Sequence, residues 1–159
     1  MSKLIGDRLP AELLEALDGE ELDAKIGPAY LLLTGDEDGL PRPCMLSAGE
    51  VLALDDRRLR LVLWPGTRTA ANLDRSGRAL FCHVAPGTVL YVRGSVRRIE
   101  PAAETTMECF ELEVESVESD AHAGMPVTTG ISFAVERGDP GDVAEAWRRQ
   151  LDLLRVDGP

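Results

Sequence analysis

The stretch Arg58–Val84, RLRLVLWPGTRTAANLDRSGRALFCHV, decides how the chain is read. Leu59, Leu61 and Leu63 alternate with Arg60, Val62 and Trp64, which is the period of a β-strand. Pro65-Gly66 then forces a turn, Thr69–Arg75 reads as a short helical segment closed by Ser76-Gly77, and Ala79–Val84 alternates again. A turn that presents hydroxyls, a guanidinium and free backbone N–H groups at a helix start suits a phosphate. The stretch predicts strand, turn, helix and strand, with an anionic, nucleotide-like ligand as the leading expectation.

Outward from it, short strands continue in both directions. Ala29–Thr34 is an apolar strand, 35–39 a turn, and Arg42–Ser47 the return strand, with Pro43 marking an edge. Glu50–Leu54 precedes the quoted stretch and joins it at Asp55-Asp56. Downstream, Val89–Ile99 pairs with Ala79–Val84 through Ala85-Pro86-Gly87, and Gly94 inside it marks a bulge or a close backbone approach. Phe110–Val117 alternates cleanly: Phe110, Leu112 and Val114 face one way and Glu111, Glu113 and Glu115 the other. Those glutamates are expected to pair with Arg93, Arg97 or Arg98, at roughly 0.2–1 kcal/mol each. Ile131–Val135 reads as a last short strand.

Helices are expected at both ends. About 9–26 carries a stripe of Leu9, Leu13, Leu14 and Leu17, with Pro10 in the first turn and a break near Gly19. About 141–155 is capped by Asp142 with Glu145 three residues on, and its apolar face is Val143, Trp147, Leu151 and Leu154. Many short strands between terminal helices predict one mainly β domain over residues 1–159, a small antiparallel barrel over about 28–136.

Composition narrows the function. The net charge is −11, yet nine arginines and only Asp74 lie between Arg57 and Arg98, leaving 8 basic and 27 acidic residues elsewhere. Such a chain repels nucleic acid and anionic membranes while keeping one segment that attracts a small anion. Most of these arginines are read as strand residues paired with acids on neighbouring strands; Arg68, in the turn, escapes that reading best. No signal-like or spanning apolar run opens the chain, and Cys44, Cys82 and Cys109 are odd in number without a CxxC pair, so reduced thiols and a cytoplasmic location are expected. No metal site is expected: Cys82 and His83, adjacent on a strand, face opposite ways, so His83 reads as structural, and His122 lacks partners at a ligand spacing.

The segments AYLLLTGDEDGLPRPCMLS, the quoted stretch and TVLYVRGSVRRIE, in that order, resemble the pyridoxamine 5′-phosphate oxidase-like, FMN-binding split-barrel family over roughly Ala29 to Asp120. The loose motif of that family, a Gly/Ser/Thr turn, a basic residue and then Asn-Leu, falls on Gly66-Thr67-Arg68-Thr69-Ala70-Ala71-Asn72-Leu73. The resemblance implies a six-stranded antiparallel Greek-key split barrel and a homodimer with FMN at the subunit interface. It places the flavin phosphate at Thr67, Arg68 and Thr69, the ring along Met45, Leu46 and Ser47, and Leu63 and Trp64 as walls, with Asn72 of the motif also counted as cofactor-binding. One departure stands out: the family's phosphate-binding Lys or Arg falls on Thr69. Losing a hydrogen bond to a charged group weakens binding about ten- to a hundredfold.

No constellation of residues supplies chemistry unaided, so no catalytic residue is assigned, and redox chemistry would belong to the flavin. The implied function is an FMN-dependent oxidoreductase acting on a small molecule. A deazaflavin or haem is the alternative cofactor. The rival functions are a non-catalytic flavin or haem binding module and a cofactor-free structural dimer.

Overall fold

The structure, a computed structural model, describes residues 1–156. Eight strands form one sheet in which every pairing is antiparallel: β1 Lys3–Gly6, β2 Tyr30–Gly35, β3 Pro41–Leu46, β4 Val51–Asp55, β5 Arg58–Leu63, β6 Arg78–Ala85, β7 Thr88–Ile99 and β8 Glu108–Ser119. The strand order is β3-β2-β6-β7-β8-β5-β4, with β1 added to β8. The two end strands, β3 and β4, are consecutive in the chain and joined by 47–50, so the sheet must curl until its edges approach. No ladder links them among the described residues, which leaves the barrel split along that seam.

The mainly β class with flanking helices is as expected, but the sheet has eight strands rather than six. The added β1 is short and wholly exposed, and it owes its existence to pairing of Lys3 with Ser119 and Leu4 with Glu118. Pro41 and Pro43 sit on the edge strand β3, where a missing N–H costs no ladder bond. The β7–β8 register shifts between Arg93 and Gly94, the bulge that Gly94 marks.

The core fills the inside of the curl: Leu32, Leu59, Leu61, Phe81, Val92, Phe110, Leu112 and Val117 are all fully buried. Each such side chain contributes about 1.5–3 kcal/mol relative to leaving it in water. Leu13 and Leu17, from the N-terminal helix, and Leu151, from the C-terminal one, extend the same core.

Three expectations about local structure are corrected. The N-terminal helix is only α1, Ala11–Ala16, with Pro10 at its N-cap; a separate 3-10 helix covers Leu22–Lys25. Between them the chain turns through Gly19 at φ 77° and Glu21 at φ 46°, left-handed angles that no continuous helix accommodates. The residues 131–135 form a strap rather than a strand, tied by the Pro28–Ser132 bridge and by bonds from Ala29 N to Ile131 O (2.9 Å) and Phe133 N to Gly27 O (2.8 Å). The C-terminal helix, labelled α3, spans Pro140–Asp152. Its cap is Asp139, accepting from Gly141 N with Pro140 at the first helical position, and not Asp142. The remaining helix, α2, is Arg68–Ser76.

Candidate functional site

The turn after β5 is built by two glycines and a cap. Gly66 adopts φ 71°, which lets the chain reverse, and Thr67 Oγ1 accepts from Ala70 N at 3.2 Å to start α2. Gly77, at φ 62°, ends the helix and donates to Leu73 O at 2.8 Å. The N–H groups of Arg68 and Thr69 have no acceptor among the described residues, and the helix dipole adds to their pull on an anion. Glu108 already uses part of the turn, since its Oε2 accepts from Gly66 N at 3.0 Å.

The arginines of the basic segment separate into two kinds. Arg57 pairs with Asp7, Arg58 with Asp55, Arg60 and Arg97 with Glu111, Arg78 with Glu115, and Arg93 with Glu118; Arg98 pairs with both Asp74 and Glu108. Arg75 donates to the Gly35 carbonyl. Arg68 alone of the nine is exposed with neither a carboxylate nor a carbonyl partner among the described residues. Seven of the nine are therefore paired with carboxylates, six of them from strands and Arg57 from the β4–β5 turn, and Arg68 stands apart. A guanidinium with no hydrogen-bond or ion-pair partner among the described residues, on the same helix start as two free N–H groups and a capping hydroxyl, suits a phosphate or carboxylate.

Other residues expected at the site are distributed differently. Thr69 is buried against Cys44, whose thiol burial pushes up in pKa and a Thr69 hydrogen bond pulls down. Its side chain is buried beside β3. Asn72 is buried too, and its Nδ2 donates to Thr34 Oγ1 (3.0 Å) and Asp36 Oδ1 (2.8 Å), which fastens α2 to the end of β2. Leu46 and Leu63 are core residues, whereas Met45 and Trp64 are about two-thirds exposed, at 65% and 64%.

Two concavities receive part of this set. A cleft of about 450 Å³ brings Arg68, Asn72 and Arg75 opposite Asp36, Glu37 and Asp38. The acids do not cancel the arginines outright: Asp36 bonds to Arg42 Nε (2.7 Å) and to Asn72, which holds its carboxyl down at about 2. A second, more apolar groove of about 490 Å³ has Met45, Leu46 and Ser47 on one wall. Thr67, Thr69, Leu63 and Trp64 line neither. Sequence reasoning missed Asp36 and Glu108 beside the turn, and also Glu50, whose Oε2 accepts from Ser47 N (2.7 Å) and Ser47 Oγ (2.8 Å). The Ser47-x-x-Glu50 spacing was the available signal.

His83 stacks on Tyr30 with ring centroids 5.4 Å apart, and burial lowers its pKa, so it is neutral and structural. Burial pushes the Cys82 thiol up to about 11, which removes it as a nucleophile near neutral pH.

The curled sheet, the seam between β3 and β4, and α2 between β5 and β6 define a split-barrel fold. The chain belongs to the family of the uncharacterized protein YclD of Bacillus subtilis (strain 168), with 34% identity over 145 residues, 90% of this chain and 93% of that one. No family model matches it. Among solved structures, the Lactobacillus delbrueckii protein described as a "putative pyridoxamine 5′-phosphate oxidase" matches with a TM-score of 0.56 at 18% identity, over 74% of this chain and 98% of that one. HupZ of Group A Streptococcus matches at 0.55 and 11%, over 79% and 99%. A heme binding protein from Mycobacterium smegmatis matches at 0.52 and 15%, over 84% and 60%. At these identities the likeness is one of fold. No helix among the described residues is long and apolar enough to cross a membrane.

Proposed function

We propose that this protein binds FMN as a homodimer and works as an FMN-dependent oxidoreductase on a small molecule. The observation that carries the reading is Arg68, an exposed guanidinium without a hydrogen-bond or ion-pair partner among the described residues, at the capped start of α2. In this reading the flavin phosphate takes Arg68 and the N–H groups of Arg68 and Thr69, with the Thr67 hydroxyl as a further donor. The exposed Trp64 and Met45 then cover the ring, and the Met45–Ser47 backbone lies along it. Bound flavin supplies the electron or hydride transfer; the chain's own residues anchor the phosphate, orient the ring and shield it from water.

A second reading, a non-catalytic module that holds flavin or haem, is favoured by Thr69. Its buried side chain leaves the turn with one guanidinium where the family pattern has a basic residue at that position. The acid Glu108 on Gly66 N lowers the anion capacity further. The visible spectrum of freshly purified protein, followed by titration with FMN and with haem, separates the readings. A flavin spectrum bleached by a nicotinamide donor supports the enzyme. Bound flavin or haem that no such donor reduces supports the module, and a colourless protein indifferent to both contradicts each of them.

A further inference from the structure

The apolar groove of about 490 Å³ lies between the end of β3, the 131–135 strap and α3. Its size is that of a small-molecule site, and Glu50 is the one charged side chain in its lining. Glu50 is held still: Oε2 accepts from both the backbone and the hydroxyl of Ser47, while Oε1 receives no hydrogen bond and no cation from the described residues. The opposite wall is a fixed aromatic corner. Trp147 lies so close to Gly49 that a Cβ there would sit 2.0 Å from its ring, and Phe133 meets Trp147 edge-on at 6.1 Å and 68°.

We infer that this groove binds a small aryl or alkyl primary amine, with its ammonium on Glu50 Oε1 and its apolar body against Phe133, Trp147 and Met45. A carboxylate with one fixed and one free oxygen in an apolar setting asks for a charged N–H donor. A neutral ligand offers that oxygen no charged donor, and an anion is repelled, the more so in a chain of net charge −11. The aromatic faces add attraction for a cation beside them. The site shares Met45–Ser47 with the proposed flavin position but does not depend on flavin being bound.

The test is calorimetric titration of the intact protein with 2-phenylethylamine, 2-phenylethanol and 3-phenylpropionate. The amine should saturate one site about tenfold or more tighter than the alcohol, and the acid should not bind. Glu50→Gln keeps an oxygen for Ser47 and should bring the amine down to the level of the alcohol. Phe133→Ala should weaken amine and alcohol alike. Equal affinity of amine and alcohol for the unmodified protein, no saturable heat with the amine, or full amine affinity in a folded Glu50→Gln protein would overturn the assignment. If Glu50→Gln fails to fold by circular dichroism, the amine–alcohol ratio of the unmodified protein decides alone. Arg68→Ala should leave amine binding unchanged, so failure of the flavin reading and failure of this one are separable.

Discussion

Arg60 Nε donates to Glu111 Oε2 at 2.9 Å across the β5–β8 ladder, with both side chains nearly sealed from solvent at 2% and 6% exposure. The same guanidinium donates through Nη1 to the carbonyls of Leu154 and Val156, each at 2.7 Å, so it pins the chain beyond α3 to the barrel wall. Glu111 takes a second cation, Arg97, at 2.7 Å. Burial pushes the Glu111 carboxyl up, but the bonds from Arg60 and Arg97 outweigh it and hold it below the usual range.

Breaking this pair from one side strands a buried charge. Glu111→Ala should destabilise the fold by about 3–5 kcal/mol in urea titrations, while Arg60→Met combined with Glu111→Leu should recover a large part of the loss. A Glu111→Ala protein with an unchanged urea midpoint would show that the pair is not sealed as described.

Asp36 predicts the acid limb of stability. Its carboxyl ordinarily titrates near 3.8 and stands at about 2 in the fold, because Arg42 and then Asn72 bond to its charged form. A depressed carboxyl stabilises the fold fully above its unfolded value, and that contribution disappears as pH falls towards 2. Urea midpoints taken from about pH 5 down to about pH 2.5 should therefore fall less steeply in Asp36→Asn than in the parent. In Asn72→Ala the fall should be smaller and end at a higher pH, because the folded carboxyl moves back towards 3.8. Identical slopes in parent and Asp36→Asn would count against the bond network.

Gly94 is a site where backbone meets backbone. A Cβ there would lie 2.3 Å from the Glu113 carbonyl oxygen and 2.5 Å from Leu112 Cδ2, so β8 itself would have to move. Gly94→Ala should cost about 1–3 kcal/mol and lower Tm by at least about 2 °C. An unchanged Tm by scanning calorimetry would mean that the bulge yields freely.

Much of this architecture was legible in the chain. The turn at Pro65–Arg68 and the β6–β7 hairpin announce themselves through Gly, Pro and strict alternation, and the edge position of β3 follows from its prolines. The depth of Arg60 was not legible. Alternation puts it opposite Leu59 and Leu61, on the side that normally faces water, but the chain returning through residues 154–156 bonds to it there. The residues 131–135 misled for a related reason: Ile131, Phe133 and Val135 do alternate, but their common face lines a groove instead of a sheet. At the candidate site, the isolation of Arg68 could be read from its place in the turn. The inward aim of Thr69 and the structural task of Asn72 could not, since both depend on contacts with β2 and β3.

The central claim, an anion held by the turn that opens α2, is tested most directly by titrating FMN into the parent and the Arg68→Ala protein and following flavin fluorescence. Arg68 makes no hydrogen bond or ion pair among the described residues, so its removal should change stability by no more than about 0.5 kcal/mol. FMN affinity should nonetheless drop about ten- to a hundredfold. Equal affinity in the two proteins would place the phosphate elsewhere and contradict the account.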